Sequence, residues 1–189
     1  MILSAAEAII GEAGGAALTA RSIAGRIGYS PGTLYNLFED LEDVVVHVNA
    51  RTLDALYEVC VRVAKQESPE ATLRAYAKAY IRFTARHERR WALLLSDRSP
   101  LLRSLPAWYQ QKVDRLLAFI EAAIAPLFRS DQTRERRRAA QILWASLHGI
   151  SALARIEAVG GKPSDLTDDL IATYLLGLRR SQGGKRSTP

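Results

Sequence analysis

The sequence predicts an all-α protein: an N-terminal three-helix head carrying a helix-turn-helix, followed by a larger helical body. Three observations carry that prediction. Apolar residues recur at three- and four-residue spacing along nearly the whole chain, Pro and Gly fall between such segments, and no stretch alternates as a half-buried strand requires. With 189 residues, 48% of them hydrophobic, the chain can bury a small head core and a larger body core.

Each element has its own local cause. Ile2, Leu3, Ala6, Ile9 and Ile10 make one face of a first helix, expected from Ile2 to Glu12 and ended by Gly14-Gly15. Thr19 is a good N-cap for a second helix that turns Ile23, Ala24 and Ile27 inward and stops at Gly28. Ser30-Pro31, a hydroxyl cap followed by proline at the first helical position, opens a short third helix expected to reach about Phe38, with Leu34, Leu37 and Phe38 packing inward. Asp40 caps a long fourth helix running toward Lys65. Ser68-Pro69-Glu70 starts a fifth, to about His87, and a shorter helix covers Glu88 to Leu95. A loop is expected around Ser99-Pro100 and Pro106. Helices then cover Ala107 to Phe128, Thr133 to Val159 and Leu166 to Arg179, with Gly160-Gly161-Lys162-Pro163 as a break between the last two. Residues 181–189, small, polar and basic, read as a flexible tail.

Composition excludes several classes. No run of about 18 apolar residues occurs, and the first ten residues carry Glu7 without a basic lead-in, so neither a membrane span nor a signal peptide is expected. The expected location is the cytoplasm, with no membrane partner. A single cysteine, Cys60, cannot build a disulfide or a thiolate cluster and reads as a core residue. His47, His87 and His148 are scattered without metal-ligand spacing, so neither a metal nor another cofactor is expected. Gly28-Tyr29-Ser30-Pro31-Gly32 matches the letters of a nucleophile elbow but lacks the strand that must precede it, so no enzyme is expected. The formal charge of +6 and pI near 9.7 suggest a nucleic-acid partner, yet residues 1–50 carry net −4, which leaves +10 for the remainder.

The two short helices around Gly28-Tyr29-Ser30 have the spacing that lets one brace on a duplex while the next enters the major groove. The third leaves Gly32, Thr33 and Asn36 on its polar face: types that approach closely or hydrogen-bond base edges, while Tyr35 can offer its hydroxyl to a phosphate. The run from Leu18 to Phe38 resembles the head of the TetR family in its Ile23-Ala24 pair, Gly28-x-Ser30 turn, Thr33-Leu34-Tyr35 triplet and closing Phe38. Trp144 and His148-Gly149 resemble a signature of one group of TetR C-terminal domains. The resemblance implies a DNA-binding domain over residues 1–46, with the helix-turn-helix at about 19–38, and a ligand-binding and dimerisation domain over 47–180. It implies operator DNA facing Thr19, Arg21, Ser30, Thr33, Tyr35 and Asn36, to which close approach adds Gly32. Glu39, Asp40, Glu42 and Asp43 suit a helix N-terminus but oppose phosphate, so few phosphate contacts are expected.

In the body, Tyr76, Tyr80, Phe83, Trp91, Trp108, Phe119 and Trp144 fall on helices that could surround an apolar cavity, with His148 as a hydrogen-bonded neighbour. They are the candidate pocket for an apolar or aromatic small-molecule effector. Arg134, Arg136, Arg137 and Arg138 crowd a helix start, where they are either solvated or paired with acids of a neighbour. Ala145, Ser146, Gly149 and Ala152 allow close approach along one helix, and Leu166, Leu170, Ile171, Tyr174, Leu175 and Leu178 stripe the last. Those two helices are expected to make a homodimer. The rival readings are a helical interaction module without DNA and an all-helical enzyme.

Overall fold

Local capping fixes the first helices. The structure, a computed structural model, describes residues 1–94, 96, 105–154 and 160–184. Helix α1 spans Ile2–Ala13 and ends at Gly14, whose φ of 80° few other residues adopt cheaply and whose N–H donates to the Ile10 carbonyl. Helix α2, Ala20–Ile27, begins with a reciprocal cap: the Ser22 N–H donates to Thr19 Oγ1 at 3.0 Å and the Thr19 N–H to Ser22 Oγ at 2.9 Å. It ends at Gly28 in the left-handed region. Helix α3 is Pro31–Tyr35.

The remaining helices among the described residues are α4 (Leu41–Val61), α5 (Pro69–Arg86), α6 (Glu88–Leu94), α7 (Ala107–Ile124), α8 (Thr133–Ala154) and α9 (Pro163–Gly184). No strand occurs among the described residues. Asp40 Oδ1 accepts from the Asp43 N–H at 2.7 Å and Ser68 Oγ from the Ala71 N–H at 3.1 Å, so both expected caps form.

Several boundaries differ from the sequence expectation for identifiable reasons. Helix α3 ends at Tyr35 because the N–H groups of both Leu37 and Phe38 converge on the Leu34 carbonyl, a tightened turn that ends the helix early. Leu37 consequently points outward, 71% exposed, while Leu34 is buried and Phe38 half-buried. Helix α4 stops at Val61, where the Val63 N–H turns back to the Cys60 carbonyl. Helix α9 starts at Pro163 rather than Leu166, since proline is favourable in a first turn, where its missing N–H costs nothing. It continues through Gly184, four residues into the stretch expected as tail. Leu95, Ser99-Pro100, the end of the expected helix at Val159, and residues 185–189 lie outside the described residues.

The chain forms two compact units, Met1–Leu56 with Thr84–Val113 and Tyr57–Phe83 with Asp114–Pro189. In the first, Ile2, Ala6, Ile9, Ile10, Leu18, Ile23, Leu34, Val44, Val45 and Val48 close a core that also takes Leu93 of α6. Arg89, one helical turn from Leu93, donates to the carbonyls of Gly11 and Glu12 and so caps the end of α1. Gly15 makes room for this junction: a Cβ there would stand 2.9 Å from Leu93 Cδ1. In the second unit α8 packs on α9, and Leu116, Ile120, Leu143, Leu147, Ile171 and Leu175 are buried. Arg137 there pairs with Glu121 and Asp114, so part of the arginine run at the start of α8 answers the acids of α7.

The two glycines of α2 separate propensity from conformation. Gly25 is helical with open space where a Cβ would stand, whereas Gly28 has φ of 75°. Gly25→Ala is expected to stabilise the protein by about 0.5–1 kcal/mol in urea denaturation, and Gly28→Ala to destabilise it by about 1 kcal/mol.

Candidate nucleic-acid interface and inner cavity

The candidate interface is built on α2 and α3, which pack together within the first unit. Leu34 supplies the anchor, 2% exposed among Leu18, Ile23 and Val44. Helical periodicity then sets the residues beside it outward. Tyr35, 52% exposed, and Asn36 lie open, Gly32 and Ser30 are exposed, and Thr33 is half-buried. Thr19 and Arg21 are exposed at the start of α2. Ser30 occupies the N-cap position of α3, but its hydroxyl makes no bond to the helix backbone and stands 3.2 Å from Thr33 Oγ1 instead. Pro31 has no N–H to offer, and the Thr33 N–H is taken by the Ser30 carbonyl. At Gly32 an added Cβ would come no closer than 3.8 Å to this chain, so the fold itself does not need glycine there. Tyr29, also 52% exposed in the turn between the helices, was not anticipated from sequence; a tyrosine in a turn with no periodic apolar partner is the available cue.

The electrostatics of this unit differ from the count over residues 1–50. Arg26 makes a two-pronged bond to Glu12, 2.9 Å and 2.5 Å, which holds the Glu12 carboxyl below its usual range. Glu7 faces Arg51 at 3.4 Å and Arg90 at 3.8 Å. The stretches that form the unit hold nine basic and nine acidic residues, so its net charge is balanced rather than acidic. Arg26 is committed to Glu12, which leaves Arg21 as the open cation of α2.

The second unit encloses an apolar cavity of about 30 Å³, room for one water. Tyr76, Tyr80, Phe119 and Trp144 line it, together with aliphatics from α5, α7, α8 and α9 and with Cys60. Burial pushes the Cys60 thiol up to about 11, so it is an inert wall residue. Among the other residues expected to line a pocket, Phe83 is buried outside the lining, and His148 stands behind it, its Nδ1 2.8 Å from Tyr80 Oη. Trp91 and Trp108 belong to the first unit, Trp91 fully buried and Trp108 stacked on His47 with ring centres 4.9 Å apart. The aliphatic lining carries no sequence signal that separates it from ordinary core. Among the described residues no group of three His, Cys, Asp or Glu side chains could hold a metal ion, and no helix is long and apolar enough to cross a membrane.

Known proteins bear out this architecture. Residues 2–48 match the model of bacterial regulatory proteins, tetR family, and residues 73–176, more than half of the chain, match the tetracyclin repressor-like C-terminal domain. Among solved structures, a protein of unknown function from Rhodococcus sp. RHA1 aligns with a TM-score of 0.73 at 18% identity, covering 94% of this chain and 93% of that one. The transcriptional regulator SCO7222, a TetR from Streptomyces coelicolor, aligns at 0.68 with 15% identity over 95% and 96% of the two chains. The fatty acid degradation regulator FadR from Bacillus halodurans aligns at 0.65 with 15% identity over 92% of each. At such identities the likeness is one of fold. No curated protein matches the sequence. The chain belongs to the TetR family and is a DNA-binding transcriptional regulator.

Burial holds the His148 imidazole below its ordinary 6.5. The unfolded chain therefore takes up this proton first, and the stability tied to neutral His148 is complete above about pH 6.5 and lost on acidification below it. The loss of stability between about pH 7 and about pH 5 is expected to be smaller in His148→Gln than in the wild type, read by thermal unfolding across that range.

Proposed function

We propose that this regulator is a repressor that holds a roughly palindromic operator as a homodimer and is released by a small apolar or aromatic effector. The observation that carries the reading is the open polar face of α3, fixed from behind by buried Leu34. In this reading residues 1–46 are the DNA-binding domain. Thr33 and Asn36 read base edges, Gly32 lets the duplex approach, and Thr19, Arg21, Ser30 and Tyr35 hold phosphates. The protein acts in the cytoplasm, where its operator lies, and without catalysis.

Residues 47–180 supply dimerisation and effector binding. Ile142, Ser146, Gly149 and Leu153 share one face of α8, and Ile142, Leu153 and α9's Leu176 are large apolar side chains left 42–50% exposed. Among the described residues, nothing outside the helix's own backbone and the adjoining residues stands within 4 Å of a Cβ placed on Gly149. A second copy can cover these faces, and twofold symmetry then sets two α3 helices about 34 Å apart, one turn of duplex. The cavity lining is uncharged, which suits an uncharged, apolar effector, and its small free volume means that such a molecule binds by moving the wall. Helix α4 runs from the first unit into the second and is the element through which the effector acts. A useful inducer binds the released state about 1–3 kcal/mol more tightly.

Footprinting on the DNA upstream of the regulator's own gene tests this reading, with affinities measured across a salt series. A symmetric footprint is expected, and Asn36→Ala weakens it by about 1–3 kcal/mol without changing the unfolding curve. The slope of log affinity against log salt falls well short of about −10, the value of a strongly basic repressor. A protein that folds and dimerises yet leaves no footprint would favour the interaction-module reading.

A further inference from the structure

A groove between α5 and the start of α9, about 470 Å³ in volume, lies outside the cavity described above. Arg74, Lys78 and Arg82 line it at four-residue spacing on α5, so three cations stand in a row on one helical face. Like charges at that spacing repel. Arg74 is relieved by Glu70 at 3.2 Å and by Asp168, a bond that also neutralises the one carboxylate of the groove. Lys78 and Arg82 are exposed and pair with no carboxylate among the described residues.

A second observation comes from the opposite wall. Thr167 of α9 lines the groove, is 3% exposed, and its hydroxyl has no hydrogen-bond partner among the described residues. A buried hydroxyl without a partner is costly unless something else supplies an acceptor. Ile81, half-buried between Lys78 and Arg82 in sequence, adds apolar surface to the lining. Thr167 lies nine residues before Leu176, about half a turn round α9 from it, so the Thr167 wall of the groove faces away from the apolar surface assigned to the dimer above.

We propose that the groove binds a small amphipathic anion, its carboxylate or phosphate headgroup accepting from Lys78, Arg82 and the Thr167 hydroxyl and its apolar part resting on Ile81. Two unrelieved cations, a buried donor without a partner among the described residues and the apolar Ile81 side chain in one groove are what such a molecule complements. The site is independent of the inner cavity and of the effector reading.

Isothermal titration of the full-length protein with four probes tests it: octanoate, octyl phosphate, inorganic phosphate and 1-octanol. Octanoate or octyl phosphate is expected to bind, the tighter of the two identifying the headgroup, with inorganic phosphate and 1-octanol at least about tenfold weaker. The Lys78→Gln/Arg82→Gln double variant, altered only at exposed positions, and the isosteric Thr167→Val are each expected to lose about tenfold or more in affinity. The site is refuted if neither amphiphile binds, or if 1-octanol or inorganic phosphate binds as tightly as the amphiphiles. It is equally refuted if both variants, folded by circular dichroism, bind as the wild type does.

Discussion

The burial of one side chain, Leu34, is the constraint on which the DNA-reading half of this molecule depends. A helix of five residues has no stability of its own in water, because nucleation costs more than so few hydrogen bonds return. Helix α3 exists because Leu34 is buried among Leu18, Ile23 and Val44 and because Pro31 presets its first turn. Burying a leucine contributes about 1.5–3 kcal/mol, enough to hold so short an element in one orientation. The same contact fixes which side chains face outward.

That anchor is supported by parts of the chain distant in sequence. Leu93 of α6 closes the core from residues far beyond the head, and Arg89 satisfies carbonyls at the end of α1. Arg51 and Arg90 face Glu7, and Arg26 is paired with Glu12. Phe38, His47 and Trp108 form a chain of ring contacts, with centres 5.5 Å and 4.9 Å apart, that ties the exit of α3 to α4 and α7 within the same unit. The head is therefore a product of residues 1–56 and 84–113 together.

This division explains what could be read in the sequence and what could not. Caps, glycines and periodicity are local, so the order of the helices, the Thr19 cap, the Gly28 stop and the open face of α3 were legible. The exact end of α3 was not, because two N–H groups compete for the Leu34 carbonyl and periodicity is silent about such turns. Leu37 followed the helical rule on paper and broke it in space for that reason. Trp91 and Trp108 looked like pocket residues because aromatic content is visible in a sequence and the unit to which a helix belongs is not. The acidic balance of residues 1–50 misled in the same way: its neutralising arginines arrive from α4 and α6.

The most direct test of this account is to weaken the anchor while leaving the outward face intact. In Leu34→Ala, operator affinity measured by fluorescence anisotropy should collapse and backbone amides of residues 32–36 should exchange faster, while the volume-conserving Leu34→Met keeps both near wild type. An alanine variant that binds operator as tightly as the wild type would show that α3 is held by something other than this buried side chain, and the account would be wrong.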